Sequence, residues 1–165
     1  MLEPLTPADV QSALEAHNLE IEVQFLDESS ATAPQAAAAL NTELGSIVKS
    51  LVFMADGQPV VVLTAGDQRV HDKKLAAYFG ISRKKIKIAS PDQCVEYVGY
   101  TPGGVPPLGH RRDDLTILID QSLSRYQTVY AAAGAHNTIF PIAFDVLVRI
   151  TGGEQADVVR DSDDG

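Results

Sequence analysis

The sequence predicts an α/β fold: a single domain built on a mixed, strongly curved β-sheet flanked by helices. Three observations carry this expectation. Short runs rich in β-branched and aromatic residues outnumber the helical stretches, which is the pattern of short strands. Strand and helix signals follow a mixed order rather than the strict alternation of a doubly wound parallel sheet. A length of 165 residues with 45% hydrophobic content suits one domain with a sizeable core.

Each element has a local reason. Thr6-Pro7-Ala8-Asp9 starts a helix, with Thr as N-cap, Pro at the first position and an acid in the first turn; the helix ends near His17-Asn18. Ile21 to Leu26 alternates weakly and predicts a strand, and Pro34 to Asn41 predicts a helix. Ile47 to Met54 predicts a strand ending at the turn Asp56-Gly57-Gln58, and Pro59 to Thr64 predicts its hairpin partner. Asp72 to Phe79 predicts a helix closed by Gly80. After a basic turn opened by Ser82, Ile86 to Ala89 predicts a short strand. Ser90-Pro91-Asp92-Gln93 has the capping-box pattern of a further helix start, carrying Cys94, Val95 and Val98 to a stop at Gly99. Leu115 to Asp120 and Thr128 to Ala132 predict strands, Ile142 to Ile150 a helix stopped by Gly152-Gly153, and Val158-Val159 a last edge strand.

Composition excludes several classes. No apolar run is long enough for a bilayer span, and Met1-Leu2-Glu3-Pro4 lacks the basic region and apolar core of a secretory signal. The lone Cys94 rules out an intrachain disulfide framework and suits a reducing compartment, so a cytoplasmic location is expected. On its predicted amphipathic helix, with no His paired to it, Cys94 reads as a buried structural thiol. The acids and His residues form no metal-ligand cluster of recognised spacing.

Net charge is −9, yet seven of the thirteen basic residues fall between Arg69 and Lys87, against Asp72 alone. Arg69, Lys73, Lys74, Lys84, Lys85 and Lys87 are therefore the candidate phosphate contacts, because the local field is what a nucleic acid meets. A solvated, Lys-rich surface is the competing reading. The C-terminal 161–165 stretch is an acidic tail beyond a domain spanning 1–160.

Two features point to chemistry. Lys49 sits in the apolar run Ile47-Val48-Lys49-Ser50-Leu51-Val52-Phe53-Met54, where an ammonium must find a partner, reach water or lose its proton. It is read either as a snorkelling Lys or as the cationic floor of a pocket for an anionic or carbonyl-bearing ligand. The second feature is Gly99-Tyr100-Thr101-Pro102-Gly103-Gly104-Val105-Pro106-Pro107-Leu108-Gly109-His110, with four Gly and three Pro in twelve residues. Such a rigid loop can aim backbone N–H groups at an anion, although it matches neither a P-loop nor a dinucleotide fingerprint. His71 and His110 read as surface residues, and His17 as the end of a helix.

Ile47-Val48-Lys49-Ser50-Leu51-Val52-Phe53, then Gly103-Gly104-Val105-Pro106-Pro107-Leu108-Gly109, then Ala133-Gly134-Ala135-His136-Asn137 leading into Phe144-Asp145-Val146-Leu147, together resemble the YbaK/EbsC family, the prolyl-tRNA-synthetase-associated editing domain. The resemblance implies a barrel-like form for the mixed sheet and a free-standing aminoacyl-tRNA deacylase that uses neither a metal nor an organic cofactor. Such an enzyme acts in trans on mischarged tRNA of the Cys-tRNA(Pro) or Ala-tRNA(Pro) type, with an aminoacyl-tRNA synthetase as a second partner and neither DNA nor membrane. It implies catalytic roles for Lys49, Gly103, Gly104 and Gly134, and substrate binding by Ser50, Pro107, Gly109, His136 and Asn137. Pro106 stands where the cysteine-clearing subgroup carries Ser, and no acid lies near Ile139, so the amino acid removed is left open. Backbone N–H groups around Gly103-Gly104 and Gly134 are the expected oxyanion donors; Lys49 would hold the phosphate or ribose end, polarise the carbonyl, or transfer a proton when neutral. A non-catalytic aminoacyl-adenosine or synthetase-binding module and a small-molecule ester hydrolase are the alternatives.

Overall fold

The computed structural model describes residues 2–27 and 32–161. Eight strands form one mixed sheet: β1 (Gln24–Phe25), β2 (Ile47–Ala55), β3 (Gln58–Ala65), β4 (Ile86–Ile88), β5 (Thr116–Asp120), β6 (Thr128–Ala132), β7 (Thr138–Ala143) and β8 (Glu154–Ala156). Their order is β1-β7-β6-β2-β3-β5-β8, with β4 also paired to β2. The sheet curves but does not close, because β1 and β8 remain as its two edges. The β2–β3 hairpin is antiparallel, with Lys49 opposite Thr64; β2–β6, β3–β5 and β5–β8 are parallel.

The central hairpin is covered on both faces, as its near-continuous apolar sequence demands. From β3, Val61, Leu63 and Ala65 join Val48 and Val52 in the main core, which also takes Val10 and Leu14 of α1 (Pro7–Ala16) and Leu147 of α5 (Phe144–Thr151). The alternate residues Val60 and Val62 pack with Leu118 and with Leu75 and Ala76 of α3 (Asp72–Phe79). A third cluster joins Ala36 and Ala37 of α2 (Ala33–Leu40) to Ile47 and Ile139.

Helix starts follow the predicted capping chemistry. The Thr32 hydroxyl accepts from the Gln35 amide and the Gln35 side chain accepts from the Thr32 amide, and Ser90 and Gln93 do the same. The helix opened by Ser90, α4 (Pro91–Gln93), passes into a π-helical turn, Cys94–Val98, ended by Gly99 at φ 104°. Cys94 is buried at 3% exposure.

Three expectations are corrected. The segment read as the start of a helix at Ile142 is strand β7, and α5 begins at Phe144. Pro141 obscured this strand, since a proline argues against a central position; here Pro141 pairs with Tyr130 on one side and lies beyond the two residues that β1 contacts on the other. The last strand is Glu154–Ala156 rather than Val158-Val159; Val159 makes only an isolated bridge to Val70, while the Val158 amide donates to the buried Asp120 carboxylate at 3.1 Å. The strand expected over Ile21 to Leu26 shortens to Gln24–Phe25, because the Gln11 side chain takes the strand partner's place, donating to the Ile21 carbonyl and accepting from the Val23 amide, both at 2.9 Å. Of the acidic tail, Asp161 is described and pairs with Lys74 at 2.8 Å; 162–165 lie outside the described residues.

Candidate functional site

The site forms where β2 and β6 separate. The two strands pair in parallel only at Ile47–Tyr130 and Val48–Ala131. On the same edge of β2, β4 begins to pair at Phe53, after the Ala89 amide has bonded the Val52 carbonyl at 2.9 Å. Lys49, Ser50 and Leu51 therefore border a gap in the sheet. Beyond Ala132 the chain turns away, and the Gly134 amide donates instead to the Gly104 carbonyl at 2.9 Å. A cavity of about 210 Å³ occupies this gap, lined by Lys49, Ser50, Gly103, Val105, Ala132 and His136 among others, and walled by Thr32, Ala33 and Ala36 of α2.

Lys49 is half-buried, and its Nζ donates to the Gln68 carbonyl at 2.8 Å. Burial pushes its pKa below the ordinary lysine value, the nearby Arg69 cation adds to that, and Asp67 opposes both. An ammonium has three N–H donors, so the bond to Gln68 leaves two for a ligand. The loop bearing Gln68 is fixed in turn: Arg125 grips Asp67 through two bonds of 3.0 and 2.8 Å and lies over the Tyr126 ring, 5.0 Å from its centre. Gly45 packs beneath, where an added Cβ would stand 2.9 Å from both the Arg125 guanidinium and the Asp67 carboxylate. Nothing in the sequence pairs Asp67 with Arg125, which lie 58 residues apart, so this support escaped sequence reasoning.

The glycine loop divides its residues between two tasks. Gly103, at φ 90°, faces the cavity. The Gly104 amide is spent on the Thr101 carbonyl at 3.1 Å, and with Gly134 also engaged, neither amide that was expected to donate to an oxyanion is available; Gly103 alone of the three keeps its N–H. Gly104 and Gly134 serve the close approach of chains. A Cβ on Gly104 would lie 2.9 Å from the Ala135 backbone, and one on Gly134 2.9 Å from the Pro7 nitrogen.

The other expected binding residues are spread out. His136 lines the cavity and is exposed. Asn137 clamps β1, its side chain donating to the Leu26 carbonyl at 3.0 Å. Pro107 and Gly109 lie behind the loop in a separate depression that also holds His17 and His110, and the Tyr100 hydroxyl donates to the Gly109 carbonyl at 2.8 Å. His110 is not the surface residue expected: it is half-buried, its Nε2 2.7 Å from the Pro106 carbonyl, and burial lowers its pKa. Among the described residues no His, Cys, Asp and Glu cluster could hold a metal ion, and no helix is long and apolar enough to cross a membrane.

The basic segment is partly neutralised. Lys74 pairs with Asp157 and Asp161, Arg83 with Asp72, and Lys85 with Asp56. Arg69, Lys73, Lys84 and Lys87 make no ion pair among the described residues.

The small mixed α/β domain has the fold of known solved structures. The domain superposes with a TM-score of 0.89 on a candidate trans-editing enzyme for prolyl tRNA synthetase, at 33% identity over 98% of this chain and 100% of that one. A second solved structure, the hypothetical protein APE2540, gives 0.82 at 27% identity over 92% and 99%. The chain belongs to the aminoacyl-tRNA editing domain family, whose profile matches residues 27–150. It is 38% identical to the uncharacterized protein YwhH of Bacillus subtilis over 122 residues, 73% of this chain and 75% of that protein. It is also 38% identical to proline--tRNA ligase of Limosilactobacillus fermentum over 97 residues, 56% of this chain but only 16% of the ligase.

Proposed function

We propose that this protein is a trans-acting aminoacyl-tRNA deacylase that hydrolyses the ester of mischarged tRNA, with Cys-tRNA(Pro) and Ala-tRNA(Pro) the foremost substrates. The observation that carries the reading is Lys49: a cation fixed by a main-chain carbonyl at the rim of a small, mostly apolar cavity, in a chain of the editing-domain family.

The chemistry asks little of the protein. An aminoacyl ester is already activated, so positioning and stabilisation of the developing oxyanion suffice. Water adds to the carbonyl carbon and the bond to the ribose oxygen breaks. The ribose hydroxyl regains a proton and the amino acid leaves as its carboxylate. Lys49 supplies positive charge to the carbonyl oxygen or to the terminal phosphate, and the Gly103 amide supplies a neutral donor across the cavity. Arg69 extends the cationic rim. Lys87, opposite Met54 on β2, lies five residues along the strand from Lys49, or about 17 Å, and with Lys73 and Lys84 would steer the acceptor stem by its phosphates. Lys74 and Lys85 belong to this group only if the tRNA displaces their acidic partners. A synthetase could hand over its product to such a domain, which would place the protein in the cytoplasm beside translation.

The test is deacylation of a panel of mischarged tRNAs, with cysteinyl- and alanyl-tRNA(Pro) first. Hydrolysis of one member well above the spontaneous rate is expected. No acceleration for any member would overturn the enzyme reading in favour of a non-catalytic binding module.

A further inference from the structure

The split in the sheet leaves one residue whose main-chain polar groups are both unused among the described residues. The Ile47 carbonyl accepts from the Gly66 amide at 2.7 Å, on the β3 side of β2, and the Val52 carbonyl accepts from the Ala89 amide on the β4 side. Main-chain groups alternate along a strand, so Lys49 and Leu51 direct their N–H and C=O towards β3, and Ser50 directs both of its own towards the gap. The parallel pairing with β6 stops at Val48–Ala131, one step short of engaging Ser50. Ser50 is half-buried, lines the cavity, and buries its hydroxyl oxygen without a hydrogen-bond partner. What it presents to the cavity is therefore main chain. Buried backbone groups are almost always paired, and here the pairing is open to a ligand.

Resting on the deacylase reading, we infer that the Ser50 main chain docks the aminoacyl group as a one-residue strand. An aminoacyl ester carries an α-ammonium N–H and a carbonyl oxygen on either side of one Cα, the same donor and acceptor that a residue offers across an antiparallel pair. The Ser50 carbonyl accepts from the α-ammonium, and the Ser50 amide donates to the ester carbonyl, where negative charge develops during attack. This recognition ignores the side chain of the amino acid, which the docking then aims at the walls formed by Ala33, Ala36 and Val105. Discrimination by size belongs to those walls; discrimination for an α-amino acyl group belongs to Ser50.

The experiment compares wild-type hydrolysis of L-alanyl- and L-cysteinyl-tRNA(Pro) with their deamino counterparts, propionyl- and 3-mercaptopropionyl-tRNA(Pro), each divided by its own spontaneous rate. An enhancement about 10-fold or more lower for the deamino esters is expected, the loss of a hydrogen bond to a charged donor. In parallel, Ser50→Pro removes the amide on the unpaired edge, where proline is tolerated in a strand, and should lose about 10-fold or more. Equal enhancement for the amino and deamino esters would overturn the inference even if Ser50→Pro failed to fold, as would a folded Ser50→Pro of full activity. Absence of hydrolysis for both L-aminoacyl esters would strike the deacylase reading instead.

Discussion

Lys49 combines a cost in stability with a use in function. Half-burying its ammonium beside Arg69 lowers its pKa, so the charged form is disfavoured in the folded protein. The sign follows: in the unfolded chain this lysine holds its proton more tightly, so the folded state gains stability as pH rises from the depressed folded pKa towards the ordinary lysine value. Lys49→Met should therefore leave the melting temperature unchanged or raise it by a few degrees, while deacylation collapses. Asp67 opposes the depression, so Asp67→Asn should move the Lys49 titration, followed by NMR of its Nζ, to lower pH, and Arg69→Gln should move it to higher pH. Cys94 is the contrasting case. Burial pushes its thiol pKa up, and in native protein it should resist alkylation at neutral pH, reacting only after denaturation.

At the scale of elements, the glycines set the geometry. Gly104→Ala places a methyl 2.9 Å from the Ala135 backbone, which cannot yield as a flexible side chain would, so we expect about 1–3 kcal/mol of destabilisation and a displaced Gly103. Denaturant melts and activity measured on the same preparation check both. Gly45→Ala meets side-chain ends instead; it should cost little stability but disturb the Asp67–Arg125 grip, and so reduce deacylation more than it reduces the unfolding midpoint. Much of this scale is legible in the sequence. The β2–β3 hairpin, the helix opened by Ser90 and the Lys49 strand follow from alternation, turn residues and caps, which are local signals. Strand β7 is not, because Pro141 breaks the strand pattern and only its lateral position makes it acceptable. The site was half legible: Lys49, Ser50, Gly103 and His136 line one cavity as a group of local motifs suggested. The wall from α2 and the Asp67–Arg125 support depend on contacts between segments distant in sequence, which no local pattern encodes. The expected oxyanion role of Gly104 and Gly134 failed to anticipate that the Gly104 amide closes a turn within its own loop onto Thr101 and that the Gly134 amide joins its loop to Gly104.

For the whole molecule, the proposed function raises the question of how a chain of net charge −9 would meet a polyanion. Its acids have already claimed part of the basic segment, leaving Arg69, Lys73, Lys84 and Lys87 for phosphate contacts. Four cations limit the counterions released, so the logarithm of kcat/KM should fall with the logarithm of salt concentration with a slope no steeper than about −4. The double variant Lys84→Ala with Lys87→Ala should flatten that slope by about 2 without changing hydrolysis of a minimal aminoacyl-adenosine ester. An unchanged slope would remove this face from the tRNA interface. The fold serves the same end, since a sheet that curves without closing can leave β2 and β6 apart at one point and still bury its core on either side.

The most direct test of the account is single-turnover deacylation of the best mischarged tRNA by wild-type protein and by Lys49→Ala, with folding of both verified by their melting curves. The account predicts that the folded variant loses about 100-fold or more in rate, as removal of a preorganised charge from a transition state does. Activity within a few-fold of wild type would contradict it, because the cavity would then work without the cation around which the site is built.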